Sequence, residues 1–201
     1  MGATAADLAD ECSAFRDGCR SDWFSASEPV HPVLLRSYYI DAHEVTNASY
    51  VEFLNQNGDS CLGQPCIDLM QSQLTQKNDV FAIDNAQSQT PVTGVSWYGA
   101  QAFCVWREGR LPTEAEWEAA ALTLPDFQWG EVWEWTASRF NPYPGFSAHP
   151  YRDYSAPWFG ERYVLRGASR ATSPRMAHPR YRNYFTPERN DIHGGFRSCA
   201  R

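Results

Sequence analysis

The stretch Gly109-Arg-Leu-Pro-Thr-Glu-Ala-Glu-Trp-Glu118 carries the clearest structural signal in this chain. Thr113 is followed three residues later by Glu116, and this spacing is the pattern of a capping box at the start of a helix. The stretch therefore predicts a helix that runs to about Leu122 and places Trp117 against the core.

Two further helices are expected on the N-terminal side, each behind a hydroxyl side chain that can cap it. Thr46 precedes a helix to about Leu54, with apolar residues on one face. Ser96 precedes a second helix from Trp97 to Arg107, and Gly109 ends it.

Short runs of aliphatic and aromatic residues predict the strands. They are Leu34–Asp41, Val80–Ile83, Tyr163–Arg166 and Gly195–Ala200. Residues 1–34 are predicted to be an irregular N-terminal segment. Residues 55–91 form a long polar connection, which is either functional or an insertion.

This pattern predicts an irregular α+β fold with about three helices and short antiparallel strands. The length of 201 residues fits a single domain. Aromatic residues make up 14% of the chain and supply the buried area that such a fold needs.

The formal net charge of −7 is unevenly distributed. Residues 139–201 hold 11 arginines and 4 acidic residues, whereas residues 1–138 hold 6 basic and 20 acidic residues. The arginine-rich third is expected either to pair with the acidic part or to form a pocket for an anionic ligand. A negative chain without a basic stripe argues against nucleic acid.

No apolar run is long enough to cross a membrane. Met1 to Phe15 lacks the basic and apolar regions of a secretion signal, which slightly favours the cytoplasm.

The six cysteines contain no Cys-x-x-Cys spacing, so a zinc site is not predicted. Cys61 and Cys66 bracket a short loop, and we expect a disulfide between them. Cys12 and Cys19 can pair in the same way. Cys104 lies among aromatic residues and is expected to be a buried thiol.

Five segments together resemble the formylglycine-generating-enzyme, or sulfatase-modifying-factor, family. They are Tyr39-Ile-Asp-Ala-His-Glu-Val-Thr-Asn47, Pro91-Val-Thr-Gly-Val-Ser-Trp-Tyr98, Gly109 to Glu118, Val132-Trp-Glu-Trp-Thr136, and Val164-Leu-Arg-Gly-Ala-Ser169 with Gly195-Phe-Arg197. The resemblance covers residues 35–201 and implies a C-type-lectin-like fold.

The residues that carry the family's oxidative chemistry are absent. The generating enzymes use two cysteines after an Arg-Gly-Gly-Ser motif, and a thiolate pair suits Cu(I). The corresponding positions in this chain are Thr172 and Ala177. The resemblance therefore implies that formylglycine-generating activity is lost.

Two C-terminal stretches look like the sulfoxide synthases of ergothioneine and selenoneine biosynthesis. They are Trp129 to Phe146 and Pro179 to Asp191. In those enzymes an N-terminal helical bundle supplies the iron-binding histidines, and this chain has no such motif. Iron therefore requires a His-rich helical partner or, less favoured, convergence of His149, His178 and His193.

The same resemblance implies a ligand pocket in the C-terminal half. The candidate residues are Trp133, Trp135, Arg180, Arg182, Tyr184, Arg189, Asn190 and Asp191. Arginine can clamp a carboxylate, and an aromatic ring can hold an ammonium group. The alternative is that Arg180 and Arg182 form structural ion pairs and Tyr184 belongs to the core.

A calcium site is the other feature that the resemblance implies. The family's loop corresponds to Gly130-Glu131-Val132-Trp133-Glu134-Trp135, where Glu131 and Glu134 offer the oxygen ligands that Ca²⁺ prefers. Glu134 is alternatively a core acid that is bound by protein donors.

Two functions follow from these observations. The favoured one is a stand-alone module that binds a small molecule or a protein on this scaffold. The alternative is the substrate-binding half of an iron-dependent sulfoxide synthase.

Overall fold

The structure is a computed structural model that describes residues 1–14, 17–148 and 155–197. It confirms the α+β class, with four α-helices and eight short strands in the described part of the chain. The helices are α1 (Ala5–Ser13), α2 (Asn47–Asn57), α3 (Trp97–Trp106) and α4 (Glu114–Thr123). The strands are β1 (Ser60–Cys61), β2 (Gln64–Pro65), β3 (Thr75–Lys77), β4 (Val80–Ala82), β5 (Trp133–Arg139), β6 (Tyr163–Gly167), β7 (Asn183–Phe185) and β8 (Gly194–Gly195).

The three predicted helix starts are confirmed. The Thr46, Ser96 and Thr113 side chains each accept a bond from a backbone N–H in the first turn of α2, α3 and α4. Thr113 and Glu116 form the complete capping box, since the Glu116 carboxylate also accepts from the Thr113 N–H at 2.7 Å. The beginning of α4, which carries Glu114 and Glu118, is therefore fixed by local hydrogen bonds.

The main sheet has the strand order β7-β6-β5-β8. The β7–β6 and β6–β5 pairs are antiparallel, whereas β5 and β8 are parallel and pair Trp133 with Gly194. The predicted strands Val80–Ile83 and Tyr163–Arg166 are confirmed as β4 and β6. Of the predicted strand Gly195–Ala200, Gly195 lies in β8, and residues 198–200 fall outside the described residues.

The core sits between this sheet and the helices α2 and α3. Tyr50, Phe103 and Phe196 are buried and pack together with ring centroids 5.2 to 5.9 Å apart; Tyr50 is stacked on Phe103, and Phe196 meets both rings edge-on. The backbone of α3 approaches the β1–β2 hairpin at Gly99, where an added Cβ would collide with the Cys66 carbonyl oxygen.

Two predictions in the N-terminal region are wrong. Leu34–Asp41 is extended but does not form a strand, and Leu34 is 99% exposed. Its apolar pattern is typical of a strand. The prediction failed because side-chain type does not reveal whether a neighbouring strand is available for pairing. The irregular structure predicted for residues 1–34 is also wrong over Ala5–Ser13, which forms α1 and buries Leu8 and Cys12 in the core.

The disulfides Cys61–Cys66 and Cys12–Cys19 are present as predicted. The free thiol predicted at Cys104 is wrong, since Cys104 is disulfide-bonded. Burial among aromatic rings is compatible with both states, so the local sequence around Cys104 could not distinguish them.

In the described part of the chain, no helix combines the length and the apolar character required to cross a membrane.

Candidate functional site

Arg182 is the centre of a buried ion-pair cluster. Its Nε and NH2 groups donate to the two Glu114 carboxylate oxygens at 2.9 and 3.0 Å. The remaining donors reach the carbonyls of Ala26 and Asn141 at 2.8 and 3.0 Å. The guanidinium also lies 4.0 Å from the centroid of the Tyr143 ring. These protein groups occupy the donors that a ligand carboxylate would need.

Arg166 shares the same acid. Its NH2 group donates to Glu114 at 3.1 Å, lies 3.0 Å from Glu118, and donates to the Tyr143 hydroxyl at 3.1 Å. Burial raises the pKa of the Tyr143 hydroxyl, and the positive charges of Arg166 and Arg182 partly oppose this rise. Two arginines and two carboxylates therefore balance in charge inside the core.

The N-terminal segment closes this cluster from outside. The Gly2 N–H donates to Glu118 at 2.9 Å, and the Ala26 carbonyl accepts from Arg182. Phe24 packs edge-on against Tyr181, with ring centroids 6.0 Å apart. Residues that the sequence placed in an irregular segment thus form part of the wall.

The eight residues of the predicted pocket have different environments. Trp133, Trp135 and Arg182 are buried, and the Trp135 indole donates to the Val95 carbonyl at 2.8 Å. Tyr184 is stacked on Phe140 with ring centroids 3.8 Å apart. The role of these four residues in ligand binding stays a prediction, as does the alternative that Arg182 and Tyr184 belong to the scaffold.

The other four residues are less buried. Arg189 forms an exposed ion pair with Asp191 and lies over the Phe185 ring, while Arg180 and Asn190 are half-buried. Their role in ligand binding stays a prediction.

Glu134 belongs to a second buried ion pair. Its oxygens accept from the Arg197 Nε and NH2 groups at 2.6 and 2.8 Å, and from the Trp117 indole at 2.8 Å. Both oxygens are thus bound by protein donors, as in the core-acid alternative. Glu131, the other expected calcium ligand, pairs with Arg170 at the surface. Among the described residues no cluster of three or more His, Cys, Asp or Glu is arranged to hold a metal.

Glu44 lies next to this ion pair, and one of its carboxylate oxygens accepts no hydrogen bond from the described residues. It is 6% exposed, and its Oε1 atom has no hydrogen-bond partner in the described part of the chain. Burial, followed by the nearby Glu134 carboxylate, raises the pKa of Glu44 to about 7. Arg197 opposes the rise, but its donors already serve Glu134.

The loop that carries the family's thiol pair is closed by hydroxyl groups in this chain. The Ser169 N–H donates to the Thr172 hydroxyl at 2.9 Å, and the two hydroxyls lie 3.0 Å apart. A short 3-10 turn, Pro174–Met176, leads to Ala177. Among the residues that the structure describes, no cysteine is free.

Two of the three histidines considered for iron lie in the described part of the chain. His178 lies 3.0 Å from Glu11 of α1, His193 is exposed in the turn before β8, and His149 lies outside the described residues.

A cleft of about 180 Å³ contains Arg170 of the Ser169–Thr172 loop, and we call it the polar cleft because most of its lining residues have polar or charged side chains. It is lined by Gln71, Gln73, Thr90, Pro91, Thr93, Glu131, Val132, Arg170 and His193. Asn47, at the start of α2, fixes one wall by donating to Gln73 and Thr90 at 2.9 and 3.0 Å. The Arg170–Glu131 ion pair forms part of another wall.

Of these cleft residues, the sequence analysis singled out Glu131 and His193, and it considered both for a metal. The long polar connection of residues 55–91 was the available signal, because connections of this length often carry function.

The α+β fold, the capped helix α4 and the loop from Ser169 to Ala177 together define a domain of the sulfatase-modifying type. The sulfatase-modifying factor enzyme 1-like domain model matches residues 9–131 and 121–201, and the chain belongs to this family.

Several curated proteins are similar to this chain. Hercynine oxygenase of Mycobacterium tuberculosis is 27% identical over 84% of this chain and 54% of that protein. The serine/threonine-protein kinase pkn1 of Chlamydia caviae is 30% identical over 79% of this chain and 28% of its own length. Formylglycine-generating enzyme of Streptomyces coelicolor is 25% identical over 93% of this chain and 84% of that protein.

The chain spans about half the length of the hercynine oxygenases that it matches, since the protein of Mycolicibacterium smegmatis also aligns over 54% of its length.

Proposed function

We propose that this chain is a ligand-binding module of the family and does not generate formylglycine. The observation that carries the proposal is the loop from Ser169 to Ala177, which contains no cysteine; by the resemblance, the two thiol positions fall at about Thr172 and Ala177. A hydroxyl and a methyl group offer no soft ligand for Cu(I). The Thr172 hydroxyl is moreover engaged with Ser169.

The polar cleft beside this loop is the proposed ligand site. Arg170 offers a planar fork for a carboxylate, and Glu131 offers a partner for an ammonium group. Both charges are exposed, so separating them costs little, because surface ion pairs contribute about 0–1 kcal/mol. The ligand class that fits these groups is a small zwitterion, such as an amino acid or its betaine.

Calorimetric titration with a panel of amino acids and betaines tests this assignment. Arg170→Ala is expected to weaken binding of the best ligand by about 10- to 150-fold, because a hydrogen bond to a charged group contributes about 1.5–3 kcal/mol. Arg139→Ala is the control, since Arg139 is also an exposed arginine and does not line the cleft. Equal effects of the two substitutions, or no binding by any member of the panel, would refute the assignment.

The loss of oxidation is tested separately. We expect no aldehyde when the chain is incubated with copper and a peptide that contains Cys-x-Pro-x-Arg, as measured by mass spectrometry. Appearance of the aldehyde product would contradict the proposal.

A second candidate is the substrate-binding half of an iron-dependent sulfoxide synthase. The observation that favours it is the match to hercynine oxygenases over 84% of this chain but 54% of their length. This candidate expects stoichiometric iron once a separately made His-rich helical partner is added. The first candidate expects ligand binding without iron and without a partner.

A further inference from the structure

A second cavity of about 460 Å³ lies between α2, α3 and the β1–β2 hairpin. It shares no lining residue with the polar cleft. Phe53 and Trp106 contribute aromatic surface from the two helices, and Cys61 and Leu62 contribute the hairpin wall. Among the described residues that line it, none carries a charge.

The floor of the cavity is a fixed aromatic surface. The Trp106 ring packs against Phe53 and Phe103, with centroids 5.7 and 5.4 Å apart. Its indole N–H donates to the Gln56 side chain at 3.2 Å. These contacts hold a half-buried indole in one orientation beside an open space.

Two solvent-exposed apolar side chains border the mouth of the cavity. Val105 on α3 is 62% exposed, and Leu62 at the tip of the hairpin is 71% exposed. Leu62 has a φ of 52°, a backbone conformation that is unfavourable for a residue other than glycine, aspartate or asparagine. The Cys61–Cys66 disulfide closes the hairpin that holds Leu62 there.

We propose that this cavity binds an uncharged aromatic small molecule. The volume lies within the range of small-molecule sites, which are mostly apolar with a few polar groups. A charged ligand would lose its hydration without gaining a partner, because no lining residue has an opposite charge. A planar ring fits the indole floor, since aromatic rings gain from offset or edge-on packing. The Gln101 amide at the rim offers one hydrogen bond to a hydroxyl or ring N–H.

This site goes beyond the proposed function, because it shares no lining residue with the cleft and takes an uncharged ligand instead of a zwitterion. Substitutions in one site are therefore expected to leave the other unchanged.

The experiment is a titration of the full chain with p-cresol and indole, followed by NMR of the Trp106 indole N–H. Benzoate and benzylamine serve as charged probes of similar size. We expect the uncharged rings to shift the Trp106 signal and to bind at least tenfold more tightly than either charged ring. Val105→Asp should weaken p-cresol binding at least tenfold, because it places a charge at the mouth.

Val80→Asp is the matched control, since Val80 is a similarly exposed valine on β4 that does not line the cavity. It should leave the affinity within twofold of the parent chain. Equal affinity for charged and uncharged rings, or an unchanged affinity in Val105→Asp, would overturn the proposal. The proposal would also be overturned if the parent chain sediments as a dimer and Val105→Asp converts it to a monomer, because a second copy would then cover the cavity.

Discussion

Two arginine–glutamate pairs of this chain have the same chemistry and opposite environments. The Arg182 and Glu114 side chains are 1% and 8% exposed, whereas those of Arg170 and Glu131 are 74% and 43% exposed. Both arginines belong to the arginine-rich third, residues 139–201. For this third the sequence predicted either ion pairs with the acidic part of the chain or a pocket for an anionic ligand. In the structure both arginines form ion pairs with glutamates, one pair in the core and one at the surface.

The depth decides what each pair contributes. Removing one member of a buried pair leaves the other charge desolvated and uncompensated. An exposed pair remains hydrated when its partner leaves, so it contributes little to stability and is available to a ligand. The same residue type is thus scaffold beside α4 and a binding candidate beside the Ser169–Thr172 loop.

The largest effect is expected from Arg182→Ala. This change leaves Glu114 with a single arginine partner and leaves the carbonyls of Ala26 and Asn141 without their donor. We expect a loss of about 3–5 kcal/mol in the free energy of unfolding, as is typical when a buried ion pair is broken. Urea denaturation followed by circular dichroism measures it.

Arg189→Ala is the control for a general loss of positive charge, because Arg189 lies in an exposed pair. It is expected to change the unfolding free energy by less than about 1 kcal/mol. If Arg182→Ala were equally mild, the distinction between the two pairs would not hold.

A smaller effect is expected from the titration of Glu44. Its pKa is raised from 4.5 to about 7 in the folded chain, so the folded state binds more protons than the unfolded state between these values. Stability is therefore expected to fall as the pH rises from about 4.5 to about 7. Because one pKa unit corresponds to about 1.4 kcal/mol, this group contributes a loss of about 3 kcal/mol.

Glu44→Gln is the matched variant, because it keeps the shape and removes the ionisation. In the parent chain, the unfolding free energy is expected to fall between pH 5 and pH 8. In Glu44→Gln, most of the loss of about 3 kcal/mol that Glu44 contributes should be absent. An identical pH dependence in the two chains would show that Glu44 is not the group responsible.

The smallest effect on stability is expected from Arg170→Ala. The Arg170–Glu131 pair is exposed, so its loss should change the unfolding free energy by less than about 1 kcal/mol. The same variant is the one expected to weaken zwitterion binding, so stability and affinity should separate. A loss of several kcal/mol would instead place Arg170 among the scaffold arginines.

Local signals in the sequence were sufficient where the structure is locally determined. Thr46, Ser96 and Thr113 cap their helices because the partner of each hydroxyl lies within three residues. The pair Cys61–Cys66 was predictable for the same reason, since only five positions separate the two residues.

Contacts between distant residues were not predictable in this way. The partner of Arg182 is Glu114, 68 positions away, and nothing local to either residue indicates the pairing. Whether Leu34–Asp41 has a neighbouring strand likewise depends on the tertiary fold. The helix α1 is amphipathic, but its burial depends on a surface that only the assembled domain provides.

The candidate site was predictable only in outline. The resemblance identified Thr172 and Ala177 as the altered positions and thereby located the loop beside the cleft. The wall formed by Gln71, Gln73 and Thr90 comes from the long connection of residues 55–91, whose composition does not distinguish a functional segment from an insertion.

The parallel pairing of β5 with β8 also has a consequence for the synthesis of this protein. Glu134 leaves the ribosome 63 residues before Arg197, the arginine that neutralises it in the core. Until Arg197 emerges, folding around β5 would bury an unpaired carboxylate, which is strongly unfavourable. The nascent chain is therefore expected to keep β5 open to solvent, and to chaperones, until the last strand has been made.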